Sequence, residues 1–137
     1  MRKLFALLLI SISLFSCTND PKEVVDNDNK KSLRTDTLNT VKLSDTMVIH
    51  EGTCRGCAYE VSTNFSIDDS MGIVKLIDVI TTDNSPADMD GGSISKKLVL
   101  VPTKKGVTVM KLYKFLTEER TAKDSARTSF YKIEVTD

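Results

Sequence analysis

Hydrophobic and polar positions fall into three regimes along this chain. Leu4 to Phe15 is a nearly unbroken apolar run behind the basic start Met1-Arg2-Lys3. A bilayer span takes ~20 residues, so this run is too short to cross, and a charged start before a short apolar core has the layout of a bacterial export signal. Thr18 to about Asn39 is polar and poor in bulky residues, with Asn19-Asp20-Pro21 and Asp26-Asn27-Asp28-Asn29-Lys30-Lys31. Such a stretch cannot bury enough apolar surface to offset its ordering entropy and is predicted to be a flexible tether. From Thr40 onward the chain becomes a series of short β-rich runs separated by turn residues.

The runs have the period of strands. Val41 and Leu43 alternate with polar neighbours, Ser44-Asp45 interrupts, and Thr46 to His50 follows, ended by Glu51-Gly52. Tyr59, Val61, Thr63 and Phe65 alternate with Glu60, Ser62 and Asn64, the period of two expected of a half-buried strand. Ile73 to Ile80 is rich in β-branched residues, which favours a strand over a helix. A long loop is expected over 81–92, then strands over 93–101 and 107–116, the latter apolar on both faces. Thr117 to Ala126 is charged, with too few apolar residues to pack a helix. Thr128 to Val135 alternates Phe130, Lys132 and Glu134 with Tyr131, Ile133 and Val135 and closes the domain. About seven strands in ~100 residues predict an all-β, immunoglobulin-like antiparallel sandwich. Connections this short and polar leave no room for the crossover helices of a parallel sheet. A small barrel shares the same pattern.

Composition removes several functions. Lys+Arg and Asp+Glu are both 19, and losing Arg2 and Lys3 with a leader leaves 17 basic against 19 acidic residues. No basic field for nucleic acid results. The chain has no Gly-x-Ser-x-Gly elbow and no glycine-rich phosphate loop. Asp68-Asp69 and Glu118-Glu119 are neighbours in polar loops, unlike the opposed carboxylates of a glycosidase. Asp83, Asn84, Asp88 and Asp90 crowd one loop, but their spacing is not that of a calcium loop. No catalytic residue, metal or cofactor is assigned.

The end of the first apolar run, Leu14-Phe15-Ser16-Cys17, resembles the lipobox of bacterial lipoproteins. That resemblance implies cleavage before Cys17 and a lipid on its sulfur, so that 1–16 is a leader, 17–39 the tether and 40–137 the domain. The expected place is the cell envelope, held to the membrane through Cys17.

Cys54-Arg55-Gly56-Cys57 is the remaining chemical feature. In an oxidising compartment the two thiols tend to pair. A disulfide across so short a ring removes little chain entropy, and would stiffen the loop more than stabilise the fold. Two other readings stay open. A thiol–disulfide exchange pair would want its first cysteine at a helix N-terminus to depress the thiol pKa. A metal site would join Cys54 and Cys57 to His50, the lone histidine, but a closed zinc site wants four ligands.

From Val41 to the C-terminus the order of elements resembles the chagasin-like inhibitors of papain-type cysteine peptidases. Ser44-Asp45-Thr46-Met47-Val48-Ile49 is similar to the family's Gly-Asp-Thr strand start. Asp90-Gly91-Gly92-Ser93 is similar to the second half of its Gly-x-Gly-Gly loop, and Lys105-Gly106-Val107 to its Lys-Pro-Gly turn. The Asn-Pro-Thr-Thr-Gly loop is replaced by Glu51-Gly52-Thr53-Cys54-Arg55-Gly56-Cys57. The Arg-Pro-Trp loop is replaced by Lys114-Phe115-Leu116-Thr117, without proline or tryptophan. The resemblance implies an immunoglobulin-like sandwich with loops 51–57, 83–93 and 115–126 at one end. It also implies a cysteine peptidase as partner, met by Thr53, Cys54, Arg55, Gly56, Cys57, Gly91, Gly92 and Phe115. The alternatives are an envelope redox protein using Cys54 and Cys57, and a purely structural lipoprotein.

Overall fold

The computed structural model describes residues 30–57, 60, 62–83, 85, 86 and 91–137; the leader, Cys17 and the first part of the expected tether lie outside the described residues. Among the described residues there are eight strands: β1 (Lys30–Ser32), β2 (Leu38–Lys42), β3 (Thr46–Cys54), β4 (Asn64–Asp68), β5 (Val74–Thr82), β6 (Ser93–Pro102), β7 (Gly106–Phe115) and β8 (Thr128–Thr136). A single 3₁₀ stretch, Ala122–Arg127, precedes β8. The strands form two four-stranded sheets, β1-β3-β6-β5 and β2-β8-β7-β4. The expected sandwich is therefore the fold.

Alternation decides which side of each sheet faces in. Met47 and Ile49 of β3, Leu98 and Leu100 of β6, Met110 and Leu112 of β7, and Tyr131, Ile133 and Val135 of β8 form one cluster between the layers. On β7 the expectation of two apolar faces fails. Thr108, Met110 and Leu112 are buried, whereas Val107 and Val109 are exposed. The sheet has a partner layer on one side only, so β-branched residues on the outer face serve the pleat and not the core.

The larger correction concerns 30–39. Lys30, Lys31 and Ser32 pair parallel with Thr46, Met47 and Val48. Leu38 to Lys42 pair parallel with Lys132 to Thr136. Leu33 and Asn39 between or within these strands are buried. The folded domain thus begins at least ten residues before Thr40, and two edge pairings are parallel in a sandwich expected to be wholly antiparallel. No crossover helix is needed, because the chain leaves one sheet at Ser32 and joins the other at Leu38. Apolar residues are too sparse here to show a period. Backbone pairing and the Asn39 amide hold the segment instead. A second correction is local: the strand expected from Tyr59 starts only at Asn64, with Glu60 and Ser62 in turns.

The pairing registers also sort the connections into two poles. β3 runs from Thr46 to Cys54 against β6, whose Ser93 lies beside Cys54. β4 begins at Asn64 beside Phe115, the end of β7, and β8 begins at Thr128 beside Tyr113. Connections 55–63, 83–92 and 116–127 therefore share one pole. The turns 43–45, 69–73 and 103–105 share the other, where the Thr103 amide donates to Ile73 O at 2.8 Å and the Leu43 amide to Thr136 O at 3.0 Å. Lys30, beside Thr46, enters at this second pole.

Candidate functional site

The three-loop pole is organised around 55–63. At its base, the buried hydroxyls of Thr53 and Thr63 meet at 3.1 Å and close the loop across its stem. Just beyond the stem, Cys54, the last residue of β3, and Cys57 form a disulfide, with Cα atoms 5.8 Å apart, inside the range such bonds require. Gly56 between them has φ 73°, the left-handed region that glycine enters without strain. Its amide donates to the Glu60 carboxylate at 2.5 Å, and the Glu60 amide donates to Cys57 O at 3.1 Å.

Arg55, inside the ring, ties this loop to the second. Its backbone amide donates to Gly92 O at 2.9 Å. Its guanidinium lies 2.9 Å from the Asp83 carboxylate and donates to Pro86 O at 3.2 Å. The Asp83 carboxyl is held below the usual carboxylate range, chiefly by the amide of Ser85 and further by the Ser85 hydroxyl and Arg55. Gly92, with φ 111°, turns its carbonyl into reach of Arg55. Tethers to the third loop come from the far side of 55–63. The Ser62 hydroxyl donates to Leu116 O at 3.0 Å, and the Asn64 side-chain amide donates to Ser62 O at 3.0 Å and to Thr117 O at 3.1 Å. One loop thus braces both of its neighbours.

Each sequence-assigned residue can now be placed. Cys54, Gly56 and Gly92 are exposed, and Arg55, Cys57 and Gly91 are half-buried. Thr53 and Phe115, both 8% exposed, are corrections. Thr53 lies on the inward face of β3 and its hydroxyl is taken by Thr63. Phe115 is the last residue of β7 and its side chain is covered, so neither presents a surface to a partner. Of the nine large apolar side chains exposed among the described residues, none lies in the described parts of these loops. What this pole offers is polar: backbone groups around glycines, Arg55, and Arg120 stacked 4.0 Å over the Tyr113 ring.

The other readings of the cysteine motif do not match this geometry. Cys54 ends a strand, and among the described residues the next element after the ring is β4, with no helix N-terminus beside the motif. His50 is on an exposed position of β3 in register with Lys97, while both sulfurs are taken by each other. Among the described residues no group of three His, Cys, Asp or Glu is arranged to hold a metal.

Sequence reading missed an ion pair at the mouth of the sandwich. Lys114 of β7 lies 3.4 Å from the Glu51 carboxylate of β3, also donates to Gly52 O, and sits 5.9 Å above the Phe65 ring. With Leu112, Arg127, Thr128 and Ser129 they line an open cleft of about 210 Å³. Burial, with a contribution from Glu51, pushes the Tyr131 hydroxyl up. The pair joins residues 63 positions apart, which local patterning cannot bring together. The inward period of β3 and β7 places each on the right face, and was the available signal.

No family model matches the chain, and no curated protein matches it. Among solved structures it is similar to a cysteine protease inhibitor, EhICP2, from Entamoeba histolytica, with a TM-score of 0.57 at 17% identity. The match covers 79% of this chain and 95% of that one. At this identity the likeness establishes a shared fold.

Proposed function

We propose that the chain is a binding module that occludes the cleft of papain-type cysteine peptidases with its three-loop pole, while a lipid on Cys17 holds it at the cell envelope. The observation that carries the reading is the bracing of loops 83–92 and 116–127 by loop 55–63 and the first residue of β4, through Arg55, Ser62 and Asn64. A loop ordered before encounter loses less conformational freedom on binding. The disulfide ring stands where the similar family carries a proline-containing loop, and offers a different route to the same stiffness. The fold neighbour being a cysteine protease inhibitor supports the choice of partner.

Titration of papain-type peptidases with the purified protein tests this. Inhibition is expected at micromolar protein or below. Joint replacement of Cys54→Ser and Cys57→Ser, or Arg55→Ala alone, is expected to weaken inhibition about tenfold, ~1.4 kcal/mol, with little change in folding stability. The absence of inhibition at micromolar protein overturns the peptidase assignment. Full inhibition by both variants overturns the role given to the braced loop.

A further inference from the structure

We propose that the pole opposite the three loops is a lipid-contacting face, on which the domain stands on a phospholipid surface with its loops directed away. The proposal rests on the lipid-anchored reading above.

Three observations carry it. The first is where the chain enters. Lys30 lies beside Thr46 at the turn-bearing pole, and only residues 18–29 separate it from Cys17. Twelve residues span at most about 40 Å and as a free chain typically roughly 20 Å. β3, β6 and β7 are 9 or 10 residues long, which sets the poles about 30 Å apart. A domain lying loops-down would have to draw this segment nearly straight along its full height. A domain standing on the entry pole imposes no such demand.

The second observation is the chemistry of the turns. Turn tips are usually polar, yet Leu43 is 42% and Met71 55% exposed. They sit at two corners of the pole, Leu43 between β2 and β3 and Met71 between β4 and β5. Two separated apolar tips make a poor patch for a protein partner, which needs contiguous area. They suit a fluid surface that each can enter independently.

The third is what surrounds them. Lys42 adjoins Leu43, and exposed Lys104 and Lys105 occupy the turn between the two corners. Long amines beside an apolar tip reach the headgroup layer while their stems stay apolar. The carboxylates of this pole have partners of their own: Asp45 pairs with Lys31 and Asp69 accepts from backbone amides, while at exposed positions Asp137 pairs with Lys105 and Asp68 with Lys111, which leaves Lys42 and Lys104 as the amines beside the tips. The charges nearly balance, so the apolar tips decide the contact and salt affects it little. A contact this small is too weak to recruit the domain from solution. It forms because the tether holds the pole near the surface at an effective concentration of order millimolar.

The test uses the full chain, processed in a bacterial envelope and reconstituted into vesicles of phosphatidylethanolamine and phosphatidylglycerol carrying a headgroup quencher. A thiol dye is placed through Lys104→Cys in one preparation and through Glu118→Cys, on the loop pole, in another. The expected result is quenching roughly threefold stronger at position 104, reduced by Leu43→Ser with Met71→Ser, both exposed positions that leave the core intact. Membrane-bound protein with equal quenching at the two positions, or with quenching at 104 unaffected by the double replacement, overturns the lipid-contacting pole and leaves the anchor standing. Protein that does not remain with the vesicles overturns the anchor, and the docking pole with it.

Discussion

Asp69→Ala is expected to lower folding stability by about 3 kcal/mol at neutral pH, because it strips acceptors from buried donors that each carry ~1–3 kcal/mol when orphaned. The carboxylate sits in the turn that takes the chain from β4 in one sheet to β5 in the other. It accepts from the amides of Ile73 at 2.5 Å and Val74 at 2.7 Å, from Met71 at 3.1 Å and from the Thr108 hydroxyl at 2.5 Å. Ile73, Val74 and Thr108 are buried, so water does not replace the lost acceptor there. At Met71 it does. Burial pushes the Asp69 carboxyl up, but the Thr108 hydroxyl and the amides of Val74, Ile73 and Met71 outweigh it, and the net direction is down.

The sign of the pH dependence follows. A carboxyl whose folded pKa lies below its unfolded value of about 3.9 contributes fully above that value and loses its contribution as pH falls through the folded pKa. The gap between the native chain and Asp69→Ala should therefore be full at pH 7 and close in acid, below about pH 4. Asp45 is also lowered, chiefly by the Lys42 amide and also by Lys31. Its acid loss is common to both proteins and cancels in the difference. Urea denaturation at neutral and at acid pH measures the gap. A difference under about 1 kcal/mol at pH 7, or one that persists undiminished in acid, would show that the turn does not depend on this carboxylate.

Asn39→Asp is expected to cost about 3 kcal/mol although it changes one atom. The Asn39 amide nitrogen donates to Arg34 O and Lys132 O, each at 2.9 Å, and to Thr37 O at 3.3 Å, while its oxygen accepts from the Arg34 amide at 2.9 Å. The residue is buried, and it fastens the 33–37 crossover to β8. A carboxylate there faces three carbonyl oxygens with no proton to give. Protonation restores one donor, so the deficit should shrink as pH falls, and thermal unfolding across pH 4–8 reads this directly. Asn39→Ala loses the same bonds without the repulsion and should show no such recovery. Equal stability of Asn39→Asp and the native chain would mean that the crossover is held by its backbone alone.

Both predictions concern residues whose roles were not legible in the sequence. Asn39 stood at the edge of a polar stretch with no period, and nothing local marks an amide as buried. Asp69 was one of two neighbouring aspartates in a turn. Its partners Ile73 and Val74 are close in sequence, but Thr108 is 39 positions away. The same distance problem hid Lys114 and Glu51. Phe115 and Thr53 failed in the opposite sense: as loop residues of a similar family they read as contacts, and the strands continue far enough to leave both buried. The bracing of 83–92 by Arg55 was equally out of reach, since Arg55 read as a contact for a partner and its acceptors Asp83 and Pro86 lie about 30 positions away.

By itself, the sequence determined the all-β class and most strands from Thr46 onward, with the inward face of β8 among them, because a pleat of period two writes itself into neighbouring residues; the start of β4 and the single inward face of β7 it did not determine. It also placed the two cysteines close enough to pair. Tertiary structure alone decided that 30–39 joins the fold along two sheet edges, that one loop braces the other two, and that the chain enters at the pole opposite them. Those outcomes depend on hydrogen bonds between backbone groups, which are the same in every residue, and on side chains meeting across long separations. Neither leaves a mark in local composition.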